Sequence, residues 1–424
     1  MSRKNLIIIS IIIFSNFLLL NYLHNINFFT KIERETIIDQ NQSFMILEKK
    51  FLESPENIRM AKMKDFVLNE NLILKKYNLI EGFYAGINQG FPGSGYIDFH
   101  QENLVVISSR GFLGFTKNIN DELNLKRINH NISEFIGFKQ FKKSHMFSIK
   151  DIFILEDQIF VSYTDEIKED CWNTSIINAN MNYEFIEFKK FFSTEQCIHS
   201  SNNIDGEFNQ HQSGGRIISL DDNNLIFSVG DYRERFYAQK DDSVNGKIIQ
   251  INTLDKTYKI ISKGHRNPQG LYLDKKNNFI IATEHGPVGG DEINLIELSD
   301  SKVLNYGWPI VSAGEHYGGK VEKNENKYKK YPLYKSHKKH GFIEPLKSFV
   351  PSIAISEITK ISDTEFVFGS MWGSIYFFNL NDKREITNLK EFPVRERVRD
   401  LIFKNNKLYL FLESTASVGV ITIN

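Results

Sequence analysis

From about residue 80 the chain repeats one grammar of apolar and polar positions. A short apolar run leads into a polar turn with Asp or Asn. A second apolar run follows, and small residues lead out. NLVVISSRGFLGF near Val105, IKDIFILEDQIFVSY near Ile159 and GRIISLDDNNLIFSVGD near Ile226 fit it. So do QGLYLDKKNNFIIATEHG near Ile280, ISDTEFVFGSMWGSIYFF near Val367 and VRDLIFKNNKLYLFLES near Tyr409. These units recur at intervals of about 42 to about 87 residues. Such repetition of strand pairs predicts an all-β fold, a radial β-propeller rather than a sandwich. The widest interval, before Val367, holds NYGWP and the polar run EKNENKYKKYPLYKSHKKHG, expected as an insertion on one face.

The first 80 residues read differently. Two basic residues precede the apolar run Leu6 to Leu23, the pattern of an export signal. The run is near bilayer-spanning length, and no small-x-small site follows it. Residues 1–29 are therefore expected to be an uncleaved signal-anchor with a transmembrane helix and its basic end in the cytoplasm. A cleaved signal peptide is the alternative. Either way the rest is expected outside the cytoplasm, on the periplasmic side. Residues 30–80 are charged and partly helical in period, a short helical connector, with the propeller over 81–424.

Composition narrows the function. Lys plus Arg and Asp plus Glu are both 52, so nucleic acid is not an expected partner. No strand is followed by GxGxxG, and no GxxxxGK[ST] occurs, so nucleotide chemistry is disfavoured. The two cysteines, Cys171 and Cys197, flank the hairpin-like SIINANMNYEFIEF. In an exported chain they could form a disulfide; two free thiols are the alternative. Oligomeric state is not legible.

Candidate chemistry gathers in Gly264–Pro309. One loop carries His265, Arg266, Asn267 and Gln269. A second carries Glu284, His285, Asp291 and Glu292 among Gly286, Pro287, Gly289 and Gly290. A guanidinium can fork onto a carboxylate or polarised carbonyl, and a Gly-Pro pair can turn carbonyl oxygens toward a hard cation. His211, in HQSGGRI, has the side chain best suited to move a proton near neutrality. Arg397 and Arg399, in RERVRD, are two apart and would point to one side of a strand.

Taken together, HQSGGR, GHRNPQG, EHGPVGGDEINLI and NYGWP resemble the soluble quinoprotein sugar dehydrogenases of the glucose/sorbosone dehydrogenase family. The resemblance is readable over roughly residues 200 to 420. It implies a six-bladed β-propeller that holds pyrroloquinoline quinone (PQQ) with calcium. It implies oxidation of an aldose at the anomeric carbon to a lactone, with an external electron acceptor. By resemblance His211 abstracts the proton and Asp231 orients it. Arg266 and Asn267 contact the quinone, and His285 lies near it. The carbonyls of Gly286 and Pro287 bind calcium, with Asp291 close by. Arg397 and Arg399 face the quinone carboxylates.

Two departures stand out. Family members often carry a Lys that reaches the cofactor from the fifth unit, where this chain has Met371 and Trp372. The family's early Gln-containing loop is not found in residues 80 to 150. These departures leave two rivals: a propeller that binds a glycan or protein without catalysis, and a calcium-dependent lactonase-type hydrolase. No GxSxG turn supports a serine nucleophile.

Overall fold

The computed structural model describes residues 57–79, 94–117, 119, 124–144, 146–298 and 302–423. Among the described residues six sheets, antiparallel apart from one short edge strand, form the six blades of a β-propeller. Their innermost strands are Gly95–His100, Ile149–Leu155, Gly214–Asp221, Pro268–Asp274, Ile355–Lys360 and Val398–Lys404. The six runs singled out at Val105, Ile159, Ile226, Ile280, Val367 and Tyr409 are each the second strand of a blade. Second strands are covered on both faces by neighbouring blades, which is why they are the most continuously apolar. Asn224–Val229 and Phe279–Glu284 show the pattern, buried from Leu225 and Phe279 onward.

The core lies between blades. Phe160 and Ile176 of blade 2 pack on Ile217, Phe227 and Ile249 of blade 3. Phe279, Ile281 and Ile293 of blade 4 pack on Phe366, Phe368 and Phe378 of blade 5. Large aromatics suit this wedge-shaped space, where facing sheets diverge outward.

The propeller reaches back into the expected connector, which corrects its boundary. Ile73–Asn78 pairs with Ser417–Thr422 as an outer strand of blade 6. Asn57–Arg59 pairs with Asn124–Arg127 at the edge of blade 1. Ring closure thus joins N-terminal to C-terminal strands. The physical signal is the burial of Leu74 and Tyr77, one on each face of the strand, as suits a strand packed on both sides. Lys75 and Lys76 masked it by giving the segment a charged look. The proposed anchor over residues 1–29 and residues 30–56 and 80 of the connector lie outside the described residues. No helix among the described residues is long and apolar enough to cross a membrane.

Cys171 and Cys197 form a disulfide, with Cα atoms 5.2 Å apart. It ties Cys171–Asn180 to the short strand Ile198–His199 beside it. The insertion before blade 5 sends Leu304–Asn305 to the edge of blade 3 and includes the helix Glu325–Lys330.

The axis is closed by charge. Arg216 Nη1 donates to Asp151 Oδ1 at 2.7 Å and Asp400 Oδ1 at 2.9 Å, and its Nε pairs with Glu357. All four residues are buried. The same acids stitch blades together. Asp151 accepts from the Ile217 N–H, Asp400 from Ile97 and Glu357 from Leu271. Asp98 likewise accepts from Ile154.

Candidate active site

Above this axial plug lies a cavity of about 530 Å³. A recurring irregularity builds it. In blades 2, 4 and 6 the inner strand starts with a β-bulge, and the extra residues are Lys150, Gln269 and Arg399. A bulge re-aims one side chain without ending the strand. All three extra residues line the cavity. The residue after the bulge turns to the axis in two of these cases, as Asp151 and Asp400.

Every residue given a role by the family resemblance except Asp231 lines this one cavity, although the residues come from several blades; the candidates His265, Glu284 and Glu292 lie outside its lining. Arg266 is held firmly. Its Nη1 donates to the carbonyl oxygens of His285 (2.8 Å) and Gly286 (2.5 Å), and Nη2 to Tyr317 Oη (3.2 Å). Its backbone N–H is bound by Glu284. The guanidinium is 5.6 Å from the centre of the Trp308 ring. A cation fixed this way needs little rearrangement to meet negative charge.

The expected Asp231–His211 pair is corrected. The hydrogen bonds of the Asp231 carboxylate run to Trp308 Nε1 and the Arg233 N–H, both 2.8 Å. Asp231 is fully buried, and burial pushes its carboxyl above the usual range against the pull of Arg266. Its link to the cavity wall runs through Trp308, whose ring lies beside the Arg266 guanidinium. Sequence missed this because the Trp308 contact spans 77 residues. His211 is placed instead by its own loop: its N–H donates to Asn209 Oδ1 at 2.8 Å. Asn267 is a tie between loops, with Oδ1 accepting from Gly214 N (3.0 Å) and Gln269 Nε2 (3.1 Å).

His285 Nε2 is buried and has no hydrogen-bond partner among the described residues. Burial, with Arg399 and Arg266 nearby, lowers its pKa and favours the neutral ring despite the opposing charge of Asp291. The Asp291 carboxylate is committed to three backbone N–H groups and one hydroxyl. It accepts from Gly286 N, Ser352 Oγ, Ile353 N and Ile355 N at 2.9–3.2 Å. Gly286 is required sterically, since a Cβ there would fall 1.7 Å from the Gly290 oxygen.

Arg397 and Arg399 converge on one acid. Arg397 Nε lies 2.7 Å from Glu413 Oε2, and Arg399 Nη2 lies 3.0 and 3.2 Å from its two oxygens. Burial opposes the charge of Glu413, yet Arg399 and Arg397 hold its pKa at about 2. Arg399 Nε remains buried without a partner. Arg397 also donates to the Met371 carbonyl at 3.2 Å.

Sequence reasoning missed Lys150, Arg233, Tyr317 and Glu413, all of which line the cavity. Arg233 lies two residues after Asp231 and stacks on Tyr317, 4.5 Å from its ring centre. Its position beside the candidate Asp231 was the available signal. Glu413 had none, being an ordinary acid at a strand end. A Ser–His–Glu row also exists: His265 meets Ser262 Oγ at 2.8 Å and Glu284 Oε2 at 2.9 Å. His265 and Ser262 are fully buried and outside the cavity lining, so the row serves packing.

The glucose/sorbosone dehydrogenase family profile matches residues 148–420. An uncharacterised protein of Synechocystis, slr1608, is 31% identical over 219 residues, 44% of this chain and 50% of the relative. The aldose sugar dehydrogenase YliI of Escherichia coli is 34% identical over 119 residues, 25% of this chain and 31% of that protein. The chain thus spans half or less of the curated relatives it matches. The PQQ-bound aldose sugar dehydrogenase of Streptomyces coelicolor superposes with a TM-score of 0.58 at 16% identity, covering 82% of this chain and 98% of that one. That likeness carries the fold. With the family match extending over well more than half of its residues, the chain belongs to the glucose/sorbosone dehydrogenase family, whose members are sugar-oxidising enzymes.

Proposed function

We propose that this protein oxidises an aldose-type sugar at its anomeric carbon to a lactone, using pyrroloquinoline quinone. The observation that carries this reading is convergence: His211, Arg266, Arg397 and Arg399, from three blades, line one cavity. The cavity's chemistry fits a tricarboxylate quinone. Lys150, Arg233, Arg266, Arg397 and Arg399 face it against the acids Asp291 and Glu413. Among the described residues the nitrogens Arg233 Nε, Arg399 Nε and His285 Nε2 have no hydrogen-bond partner. A buried donor without a partner is costly, and a polar ligand would satisfy it.

When bound, the quinone supplies the hydride acceptor, and an external electron acceptor regenerates it. The protein supplies the rest. His211 takes the proton of the anomeric hydroxyl at an imidazole nitrogen. Arg266, held by two carbonyls and Tyr317, presents positive charge where an oxygen becomes negative. Arg397 and Arg399 orient carboxylates at the other wall. Asp231 holds Trp308 under Arg266 and keeps its charge in place.

Calcium fits less well. The Gly286 oxygen already accepts from Arg266, and the Pro287 oxygen faces Ser352 Oγ at 3.4 Å. A dication on Gly286 would share its oxygen with a guanidinium and be repelled. Among the described residues no three His, Cys, Asp or Glu side chains group as a metal site. No step is therefore routed through calcium. The lactonase reading loses its central site too, since Arg216 occupies the axis.

The Leu6–Leu23 run is read as an export signal-anchor, and the disulfide supports an oxidising compartment.

The test is a PQQ titration followed by absorbance, then a panel of aldoses with an artificial electron acceptor. Stoichiometric binding and sugar-driven reduction are expected. His211→Ala should lower turnover by about 10²–10⁴-fold with binding retained. No binding at high micromolar quinone would overturn the reading.

A further inference from the structure

Among the described residues three cations of the cavity, Lys150, Arg233 and Arg266, have no ion pair to an acid, and Arg233 stacks on Tyr317. Arg397 and Arg399 share Glu413, and Arg266 is bound to carbonyls. The Lys150 ammonium has no hydrogen bond or ion pair to a described residue, although the side chain is only 8% exposed. Its exposure is to the cavity. A buried, unpaired ammonium is costly, so a protein that keeps one gains from an anion that meets it.

Its placement is built. Lys150 is the extra residue of the blade 2 bulge, the same station from which blade 6 projects Arg399. Its stem lies over Gly215. That glycine has φ +116°, and a Cβ on it would fall 2.4 Å from Lys150 Cβ and 3.2 Å from Cγ. The Gly-Gly turn after His211 therefore makes room for Lys150, linking it to the loop that carries the proposed base. The Arg399 and Glu413 charges both act on its ammonium, so it belongs to the carboxylate-holding corner. Met371, where a cation is absent, bounds the same corner through its carbonyl contact to Arg397.

We propose that Lys150 is the cavity's carboxylate-binding ammonium, delivered by blade 2 and supplying the positive charge that blade 5 lacks at Met371. This rests on the quinone reading above and adds a residue to it. Burial, then Arg399, pulls the free ammonium down to about 7 against Glu413. The free amine is thus reactive near neutral pH, which gives a readout independent of turnover.

Two measurements on the full chain test it. In the first, PQQ is titrated into wild-type protein and Lys150→Met, which keeps the stem over Gly215 and removes the charge. Affinity should fall by roughly 10- to 100-fold, with the thermal melt of the free protein no lower. In the second, wild-type protein is acylated at pH 7.5 with and without saturating PQQ, and peptides are read by mass spectrometry. PQQ should slow modification of Lys150 at least about tenfold while the exposed Lys275 is unaffected. This arm decides the matter if Lys150→Met folds poorly. Wild-type binding that Lys150→Met leaves within twofold, without protection of Lys150, overturns the assignment and leaves the quinone reading standing. No binding by wild-type protein overturns both.

Discussion

The axis and the cavity of this propeller are made of the same side chains in opposite proportions. At the axis one guanidinium, Arg216, meets three carboxylates, Asp151, Glu357 and Asp400. In the cavity one carboxylate, Glu413, serves two guanidiniums, with Lys150 close by. The acids of the axis are further bound by backbone N–H groups of neighbouring blades. Those of the cavity leave cationic nitrogens unfilled. A site whose acids are held by a guanidinium and backbone N–H groups is structural, whereas one left short of acid is prepared for an anion. The two tiers are adjacent residues: Lys150 beside Asp151, and Arg399 beside Asp400.

The sharpest way to break this contrast is Arg216→Met. It strands three buried carboxylates, and removing one partner of a buried ion pair costs about 3–5 kcal/mol. A denaturant midpoint series should show that loss. A change under about 1 kcal/mol would mean the axial acids are held by backbone alone.

Stability against pH should separate the tiers next. Glu413 has a folded pKa of about 2, below the ordinary 4.5, so the unfolded state binds more protons between them. Its contribution is complete above about pH 4.5 and is lost as pH falls toward 2. Burial, with Asp400 adding to it against Arg216, raises Glu357 to about 8. The folded state then binds more protons between about 4.5 and 8, and stability declines as pH rises through that window. Each slope is at most about 1.4 kcal/mol per pH unit. Glu413→Gln should flatten the acid limb and Glu357→Gln the neutral one; identical profiles for both variants would remove the distinction.

Glu413→Gln also tests the cavity as an anion site. It adds one net positive charge, so PQQ should bind about tenfold tighter at low salt, and high salt should erase the gain. Unchanged or weaker binding at low salt would show that Glu413 mainly aims the two arginines. The smallest effect is expected at the rim. Trp372 is 74% exposed, and Trp372→Ala should leave stability within about 0.5 kcal/mol by the same midpoint assay. A larger loss would make the rim part of the folding unit.

What the sequence by itself determined was the repeating framework and the motif loops. The second strand of every blade was legible because double-sided burial leaves a local, almost uninterrupted apolar run, as in Phe279–Glu284. The loops around His211, Arg266 and Gly286 were legible because their unusual residues are contiguous. Ring closure by Ile73–Asn78 was hidden, since its partner strand lies over three hundred residues away and its lysines resemble a solvated connector. The partners of Asp231, the acid shared by Arg397 and Arg399, and the arrival of Lys150 were decided only by tertiary structure. Each depends on a bulge or on a distant blade setting the direction of one side chain. Local patterning says which residues are buried, but only the closed ring determines which charges face one another.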